Sequence, residues 1–520
     1  MNAADYFLDR HVREGRGARL AVAGVGARLS YAELAERAGR VAGAWQELGV
    51  APGDRVLLIL PDSPELLACF FGTMKMGAIA VPVNPFTRAA DYAHYAADCR
   101  PRLAVVHEGS LAEALPTLQQ AKHPPRIFTV GNKAPGCTLL DDAITSASAL
   151  PVARSPKPDD LAFFLYTSGS GGQPKAAMHR HQHMLATADC YARQVLGFHS
   201  DDVAFSASKL FFAYGLGNAG YFPLSVGAAT VLLPERPTAE RLFAVLEQYR
   251  PRLFFAVPTL YGALLRAAEA SRQRLDFLRA AVSAGEALPV EIFQRFKKRF
   301  GLEILDGIGT TEMLHMFISN RPDEARPGSC GREVPGYRAR IVTESGEEAK
   351  AGEIGHLWVA GPSRMAGYWE KPELSARVLC EAWYLTGDQF YRDPDGFFHY
   401  CGRADDMLKV SGMWVSPLEV ENALLAHPAV AEAAVVGHRD PDGLTQVCAF
   451  IVLRSTASRP DPARSAEGER EGPAVSSLGD ELRDFVRRRL PGYKVPARFE
   501  FVSDLPRTAT GKIQRFKLRT

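Results

Sequence analysis

Two hydrophobic rhythms alternate along this chain. Leu34, Ala38, Val41, Ala42 and Trp45 recur at the spacing that places side chains on one face of a helix. Ser30 and Glu33 frame the start of that helix as a capping box, and it ends near Gly49. Pro52, Gly53 and Asp54 make a turn. Residues 55–60 then read as a strand, 64–76 as a helix and 78–83 as a strand ending before Asn84 and Pro85. The alternation continues with a strand at 103–107, a helix at 111–121 and a strand at 126–130. Helices and strands in turn predict an α/β architecture with parallel strands.

Residues 161–166 are an apolar run that reads as a buried strand, and a helix-like segment is expected after Lys175, with 179–196 a long helix. Strands follow at 202–206, 228–233, 253–257, 279–283 and 303–306, with helices at 239–249 and 289–300. From 328 to 400 short strands and turns dominate, which predicts a small β-rich subdomain. The charged turn at 402–406 marks a domain boundary, giving a large unit over 1–403 and a small mobile α+β unit over 404–520. In the latter, helices are expected at 417–425 and 478–490 and strands at 430–436, 446–453 and 497–501. Residues 454–477, rich in Pro, Ser, Ala, Gly and Glu, read as a flexible insertion.

A chain of 520 residues exceeds one ordinary core, in keeping with two or more domains. Apolar content of 47% and charged content of 23% are those of a globular protein. A formal net charge of +2 gives no electrostatic case for nucleic acid. The first residues lack a basic stretch followed by an apolar one, and no apolar run reaches membrane-spanning length. The 8 cysteines form no C-x-x-C pair, which argues against a zinc ribbon or a disulfide framework. A cytoplasmic protein with reduced thiols, no membrane partner and no nucleic-acid partner is the expectation.

The chemistry gathers first in Thr167-Ser168-Gly169-Ser170-Gly171-Gly172-Gln173-Pro174-Lys175. Glycines let backbone N–H groups turn inward and approach a ligand closely, hydroxyls add donors, and Lys175 adds a positive charge. Such a loop suits polyphosphate. It is not a Walker loop, because Ala176 follows the lysine where Ser or Thr would hold magnesium.

Further motifs follow in a definite order: Asp306-Gly307-Ile308-Gly309-Thr310-Thr311-Glu312, the stretch 384–388 ending in Asp388, the stretch 402–412 containing Arg403, Asp405 and Lys409, and Thr510-Gly511-Lys512. Together with the glycine loop they resemble the acyl-adenylate-forming superfamily of acyl-CoA synthetases, peptide-synthetase adenylation domains and luciferases. The block 209–218, with Ile308 and Met313-Leu314-His315-Met316, looks most like bacterial benzoate–CoA ligases.

The resemblance implies an enzyme that joins an aromatic carboxylic acid to coenzyme A in two steps. The acid attacks the α-phosphate of ATP, giving an acyl-adenylate and pyrophosphate. The small domain then rotates and the thiol displaces AMP. By the same resemblance Thr167, Ser168, Gly169, Ser170, Gly172 and Lys175 hold the phosphates, and Gly285, Glu286, Ala287 and Asp306 to Gly309 line the adenine pocket. Thr310 also belongs to the ATP-binding residues, Thr311 touches the α-phosphate, and Asp388 and Arg403 take the ribose. Glu312 is a hard oxygen ligand suited to Mg2+. Lys512 is the catalytic cation that bridges the carboxylate and the α-phosphate, and Asp405 occupies the hinge. Phe212, Ala213, Tyr214, Gly309, His315, Met316 and Lys409 are expected around the acid, and Ser411, Gly412, Met413 and Trp414 along the path of coenzyme A. A flat slot between aromatic rings suits a benzene ring better than a long chain. A homodimer is compatible with this reading.

Departures from the family pattern bear on the loop. Gly171 stands where the family has Thr, and Ala176 where it has Gly, so one hydroxyl is lost and one methyl gained beside the phosphates. His179 and His183 share a helical face, yet no Cys or carboxylate cluster accompanies them, so they read as core rather than as a metal site. Gly24-Val25-Gly26 reads as a hairpin turn, and Lys297-Lys298-Arg299 as the solvated end of a helix. Two other readings stand beside the ligase: an enzyme loading the aryl group onto a carrier-protein phosphopantetheine, and a nucleotide-binding protein without turnover. No carboxylate falls in 210–217 to pair a substrate amine, which disfavours amino acids.

Overall fold

The computed structural model describes residues 1–24, 27–150, 152–167, 173–269, 273–410, 413–439, 445–454, 473–507 and 513–519. The side chains of residues 27, 269, 473–477 and 516 are left out of that description. Ser168, Gly169, Ser170, Gly171, Gly172, Ser411, Gly412 and Lys512 lie outside the described residues, as do the tip of the turn at 25–26 and residues 455–472 of the expected insertion.

Alternation within strands builds the core. Val56 and Leu58 point to one face of the strand Arg55–Ile59, and Leu57 and Ile59 to the other. Residues two apart share a face, and here both faces are buried, as parallel sheets require. A seven-stranded sheet results, with Arg55–Ile59, Ile79–Pro82, Leu103–His107, Arg126–Val130 and Leu161–Thr167 in parallel register. A nine-stranded sheet has a parallel centre made by Leu20–Gly24, Ala229–Leu232, Val203–Ser206, Leu253–Ala256, Ala280–Ser283 and Ile304–Gly309.

The inner faces of both sheets pack into one core with the helices Tyr31–Glu47 and Pro64–Lys75. Trp45, Phe70, Phe71 and Phe163 lie in it, wholly buried. The first of these helices starts as expected. Ser30 Oγ accepts from Glu33 N–H at 3.3 Å, and Glu33 Oε2 accepts from Ser30 N–H at 2.7 Å. Strands between Arg338 and Arg403 form a separate five-stranded antiparallel sheet. The smaller C-terminal unit is α+β: Val430–Arg439, Thr445–Leu453 and Arg498–Phe501 form its sheet, covered by Pro417–Leu425 and Pro473–Arg487.

One expectation fails. The segment after Lys175 is a strand, Lys175–Arg180, paired antiparallel with Leu161–Thr167, and helix begins only at His181. Hairpin pairing along a buried strand outweighs the helical spacing of the side chains beyond it. Helices that go unread in the sequence include Ala89–Cys99, Pro258–Glu269 and the helical stretch from Ala213 to Val226. The first carried a signal, since Tyr92, Tyr95, Ala96 and Cys99 are its buried side and follow helical spacing. The last helix of the C-terminal unit begins at Pro473, inside the span read as insertion.

Candidate active site

Parallel sheets present ligands at the carboxyl ends of their strands, and the motif residues collect there. Thr167 ends its strand directly opposite Lys175, so the intervening glycine-rich segment joins two paired strand ends. Its far side is anchored by His94, whose ring nitrogen donates to the Pro174 carbonyl at 2.6 Å. Lys175 Nζ stands 4.2 Å from the ring centre of Tyr368, a cation–π contact. The Tyr368 hydroxyl donates to Glu312 Oε1 at 2.6 Å. Burial pulls the Lys175 ammonium below its ordinary range, the Glu312 carboxylate draws it back up, and Arg403 adds to the depression. The three charges therefore share one electrostatic site.

The backbone fixes this cluster. Ala177 and Tyr368 are joined by an antiparallel bridge, and Met365 N–H donates to the Glu312 carbonyl at 2.7 Å. His179 Nε2 donates to the Thr311 carbonyl at 2.9 Å, tying the strand after the glycine loop to the turn that carries Glu312. His183 Nδ1 lies 3.2 Å from His179 Nδ1 and accepts from Arg180 N–H at 3.3 Å. The two imidazoles thus meet although His179 is on a strand. Their surroundings hold no group of three or more metal-ligating side chains among the described residues.

Asp388 and Arg403 face each other across paired strands, Trp383–Arg392 and Phe398–Arg403, with Arg403 Nη1 donating to Asp388 Oδ1 at 3.1 Å. Nη1 also donates to the Thr386 carbonyl at 3.0 Å. Asp388 is 5% exposed, whereas the Arg403 side chain is 39% exposed, so the carboxylate is buried and the guanidinium reaches solvent. Asp405 follows at once in a tight turn, where Asp406 and Met407 donate their N–H groups to the Arg403 carbonyl.

Asp306 is aligned with Ser283 in adjacent parallel strands, and burial drives its carboxyl well above the usual range. Gly307 and Gly309 continue that strand because nothing larger fits: a Cβ on Gly307 would lie 2.8 Å from the Met316 sulfur, and one on Gly309 2.5 Å from the His315 carbonyl oxygen. Gly285 has φ +91° at the turn after Ala280–Ser283. Glu286 Oε2, in the same turn, accepts from Thr259 Oγ1 at 3.0 Å.

An aromatic slot borders this strand end. Tyr214 Oη donates to the Val282 carbonyl at 3.0 Å, and its ring lies 5.7 Å from that of His315. His315 also packs on Tyr191 and Phe222, and its Nε2 donates to Asn218 Oδ1 at 3.1 Å. Burial lowers the His315 pKa to about 3, so the ring is neutral near pH 7. The preceding Leu314 holds φ 65°, a strained conformation costing about 1–3 kcal/mol that turns His315 back toward the slot. Gly217 is needed beneath it, since a Cβ there would lie 2.4 Å from the imidazole.

Tyr214, Gly309, His315 and Met316 are thus brought to the neighbourhood of Asp306 and Gly307 by adjoining elements, and Phe212 and Ala213 directly precede Tyr214 in the chain. Lys409 and Trp414 sit opposite each other on a separate two-stranded ladder, with Nζ 5.2 Å from the indole ring. Met413 and Trp414 are 51% and 41% exposed there.

Sequence reasoning missed Tyr368, which connects the lysine to the glutamate, and Asn218, which holds His315. Neither carries a spacing signal; each is found only through its partner. Among the described residues no helix is long and apolar enough to cross a membrane.

Comparison with known proteins gives a consistent result. The AMP-binding enzyme model matches residues 8–369, and the AMP-binding enzyme C-terminal domain model matches residues 419–512. The chain is 43% identical over 521 residues to the benzoate–CoA ligase of Thauera aromatica, covering 100% of this chain and 96% of that one. It is 40% identical over 524 residues to the 4-hydroxybenzoate–CoA/benzoate–CoA ligase of Rhodopseudomonas palustris, covering 100% and 94%. The crystal structure of a benzoate–CoA ligase from Burkholderia xenovorans superposes with a TM-score of 0.89 at 40% identity, over 100% of each chain. An anthranilate–CoA ligase in complex with anthranoyl-AMP gives 0.92 at 36% identity, over 100% of this chain and 96% of that one. Matched over residues 8–369 and 419–512, this chain belongs to the AMP-binding enzymes.

Proposed function

We propose that the chain is an ATP-dependent aromatic carboxylate–CoA ligase acting through an aryl-adenylate, with benzoate or a substituted benzoate as the acid. The observation that carries this reading is the convergence of Lys175, Glu312 and the Asp388–Arg403 pair on one electrostatic site next to the slot of Tyr214 and His315. Similarity along the whole chain to ligases of benzoate and hydroxybenzoate supports it.

In the first step Lys175 and the glycine-rich segment hold the β- and γ-phosphates, and Asp388 accepts from the ribose hydroxyls while Arg403 fixes its carboxylate. The acid lies flat in the slot with its carboxylate toward Thr311. Its oxygen forms a bond to the α-phosphorus as the bond to the bridging oxygen breaks, and pyrophosphate leaves. Catalysis here is positioning and charge neutralisation. Lys512 supplies the cation at the developing charge. In the second step the thiol of coenzyme A attacks the carbonyl carbon, its proton passes to solvent, and AMP leaves. The C-terminal unit turns about Asp405 between the steps, with residues 1–403 fixed and 404–520 moving.

The residues also fit Mg2+. Glu312 is a buried carboxylate whose Oε1 already has a donor in Tyr368, leaving Oε2 for a hard cation. One protein carboxylate is what a magnesium ion leaning on substrate phosphates requires. When bound, the ion neutralises phosphate charge.

A panel of benzoate, hydroxy-, amino- and halobenzoates, cinnamates and fatty acids, scored by AMP release with free coenzyme A, tests the proposal. Turnover confined to aromatic acids is expected. Turnover of fatty acids alone, or of no acid without a carrier protein, would overturn it.

A further inference from the structure

Arg507 stands where the C-terminal unit meets the large one beside the expected adenine turn. Its Nη2 pairs with Glu432 Oε2 at 2.5 Å, and its Nη1 donates to Thr259 Oγ1 at 3.4 Å. Glu432 belongs to the strand Val430–Arg439 of the C-terminal sheet. Thr259 belongs to the helix Pro258–Glu269 of the large unit and donates to Glu286 in the turn after Ala280–Ser283. One guanidinium therefore joins the small unit to the adenine side of the large one.

The backbone of Arg507 is equally placed. It forms an antiparallel bridge with Ile513, and Gln514 N–H donates to the Pro506 carbonyl at 2.8 Å. Leu505 and Ile513 pack with Ala434, Val436, Cys448 and Phe450 on the C-terminal sheet. Arg507 and Ile513 are thus paired with each other beside that sheet.

We infer that Arg507 is a positioning residue for the adenylation step: a clasp that holds the C-terminal unit in the orientation presenting Lys512 to the α-phosphate. This rests on the proposed function, because it needs two half-reactions with different orientations of that unit. Its contacts with Glu432 and Thr259 are unequal in the way a releasable clasp requires. The short, charge-assisted pair with Glu432 lies within the turning unit, and the long, neutral-acceptor contact with Thr259 crosses to the fixed one. When the small unit turns, the contact with Thr259 parts while the guanidinium keeps the Glu432 carboxylate. Arg507 and Glu432 side chains are only 22% and 27% exposed, which protects the pair from screening by solvent.

The two half-reactions separate this role from a structural one. Adenylation is read as benzoate-dependent pyrophosphate exchange into ATP, and thioester formation as benzoyl-CoA made from supplied benzoyl-adenylate. Arg507→Ala is expected to slow exchange about tenfold, the scale of a small misplacement of a catalytic group, while thioester formation keeps its wild-type rate. Arg507→Lys restores part of the loss. Glu432→Gln, a mild change at the partner carboxylate and away from the adenine turn, lowers exchange selectively, and carries the test by itself if Arg507→Ala does not fold. The double variant of Arg507→Ala and Glu432→Gln is no slower than Arg507→Ala, because both changes open one contact. Equal loss of both half-reactions in Arg507→Ala, or an unaltered Glu432→Gln, overturns the clasp while leaving the ligase assignment intact. A wild-type chain that exchanges pyrophosphate with no aryl acid overturns the ligase assignment and the clasp with it.

Discussion

Tyr368 touches both charges of the proposed phosphate site: its hydroxyl donates to Glu312 Oε1 at 2.6 Å, and Lys175 Nζ stands 4.2 Å over its ring. A hydrogen bond to a charged group contributes about 1.5–3 kcal/mol, and a cation–π contact about 0.5–2 kcal/mol. The first holds the glutamate in one rotamer, and the second keeps the lysine from folding onto that glutamate.

Tyr368→Phe separates these roles, since it keeps the ring and removes the hydroxyl. Its expected effect is a fall in pyrophosphate exchange of about tenfold or more, from the loss of a charge-assisted hydrogen bond. The magnesium concentration needed for half-maximal rate should rise, because Glu312 is no longer oriented. Tyr368→Ala should lose more, with weaker ATP binding as Lys175 is freed. A magnesium titration of exchange in the three proteins checks this; identical curves for Tyr368→Phe and wild type would remove Tyr368 from the site.

Lys512→Ala should divide the reaction. A cation at the developing charge is needed for adenylation, and losing such a group costs about 100-fold or more. Thioester formation from supplied benzoyl-adenylate should keep its rate, because the proposed rotation carries the lysine away before that step. Rapid-quench measurement of each half-reaction decides it, and comparable loss in both would contradict the assignment.

How far the fold was legible depends on the range of the signal. The strand Arg126–Val130 and the helix Ala239–Tyr249 were read residue for residue, because apolar periodicity and local turn residues specify them. The strand Lys175–Arg180 was misread, because its conformation is set by Leu161–Thr167 across a hairpin rather than by its own side chains. The candidate site divides in the same way. Lys175, Glu312, Asp388 and Arg403 lie in contiguous motifs, and a motif is visible in one dimension. Tyr368 lies 56 positions from Glu312 and Asn218 lies 97 from His315, so only the folded chain pairs them.

Acid should destabilise the protein through its buried imidazoles. Burial lowers the pKa values of His11, His179 and His181 to about 4 and that of His315 to about 3, from 6.5. In the unfolded chain each takes up a proton below 6.5, whereas in the folded chain each stays neutral until far lower pH. The stability these neutral rings confer is complete above about pH 6.5 and is lost as pH falls toward about 4, at about 1.4 kcal/mol per pH unit for each ring. Asp62, raised to about 6 by burial, opposes this within its own window, as do the raised carboxyls of Asp306 and Asp9, while His183, lowered to about 2, adds a fifth imidazole to the other side. Urea midpoints should therefore fall steeply across that range. His181→Asn, whose amide oxygen replaces the Nδ1 that accepts from Ala3 N–H at 3.1 Å, should flatten the slope by about one proton. Midpoints independent of pH would show that the rings are not buried as neutral groups.

The aromatic slot rests on a buried ion pair, and that pair can be dissected. Asp62 and Lys209 are 2% and 6% exposed, with Nζ 3.7 Å from Oδ2. Lys209 also donates to the Leu233 carbonyl, and Asp62 Oδ1 accepts from Leu210 N–H at 2.9 Å. Burial raises the carboxyl and lowers the ammonium, so each charge depends on the other. Asp62→Leu strands the ammonium and should cost about 3 kcal/mol, the lower end for breaking a buried pair. Adding Lys209→Met removes the stranded charge and should recover most of that stability, since an apolar replacement of both partners is near neutral. The slot should not recover with it. Leu210 N–H lacks its acceptor in both variants, and this amide begins the turn that delivers Phe212, Ala213 and Tyr214. The KM for benzoate should stay raised in the double variant while its urea midpoint returns toward wild type. A KM that recovers together with stability would show that Asp62 acts only by neutralising Lys209, not by holding the slot.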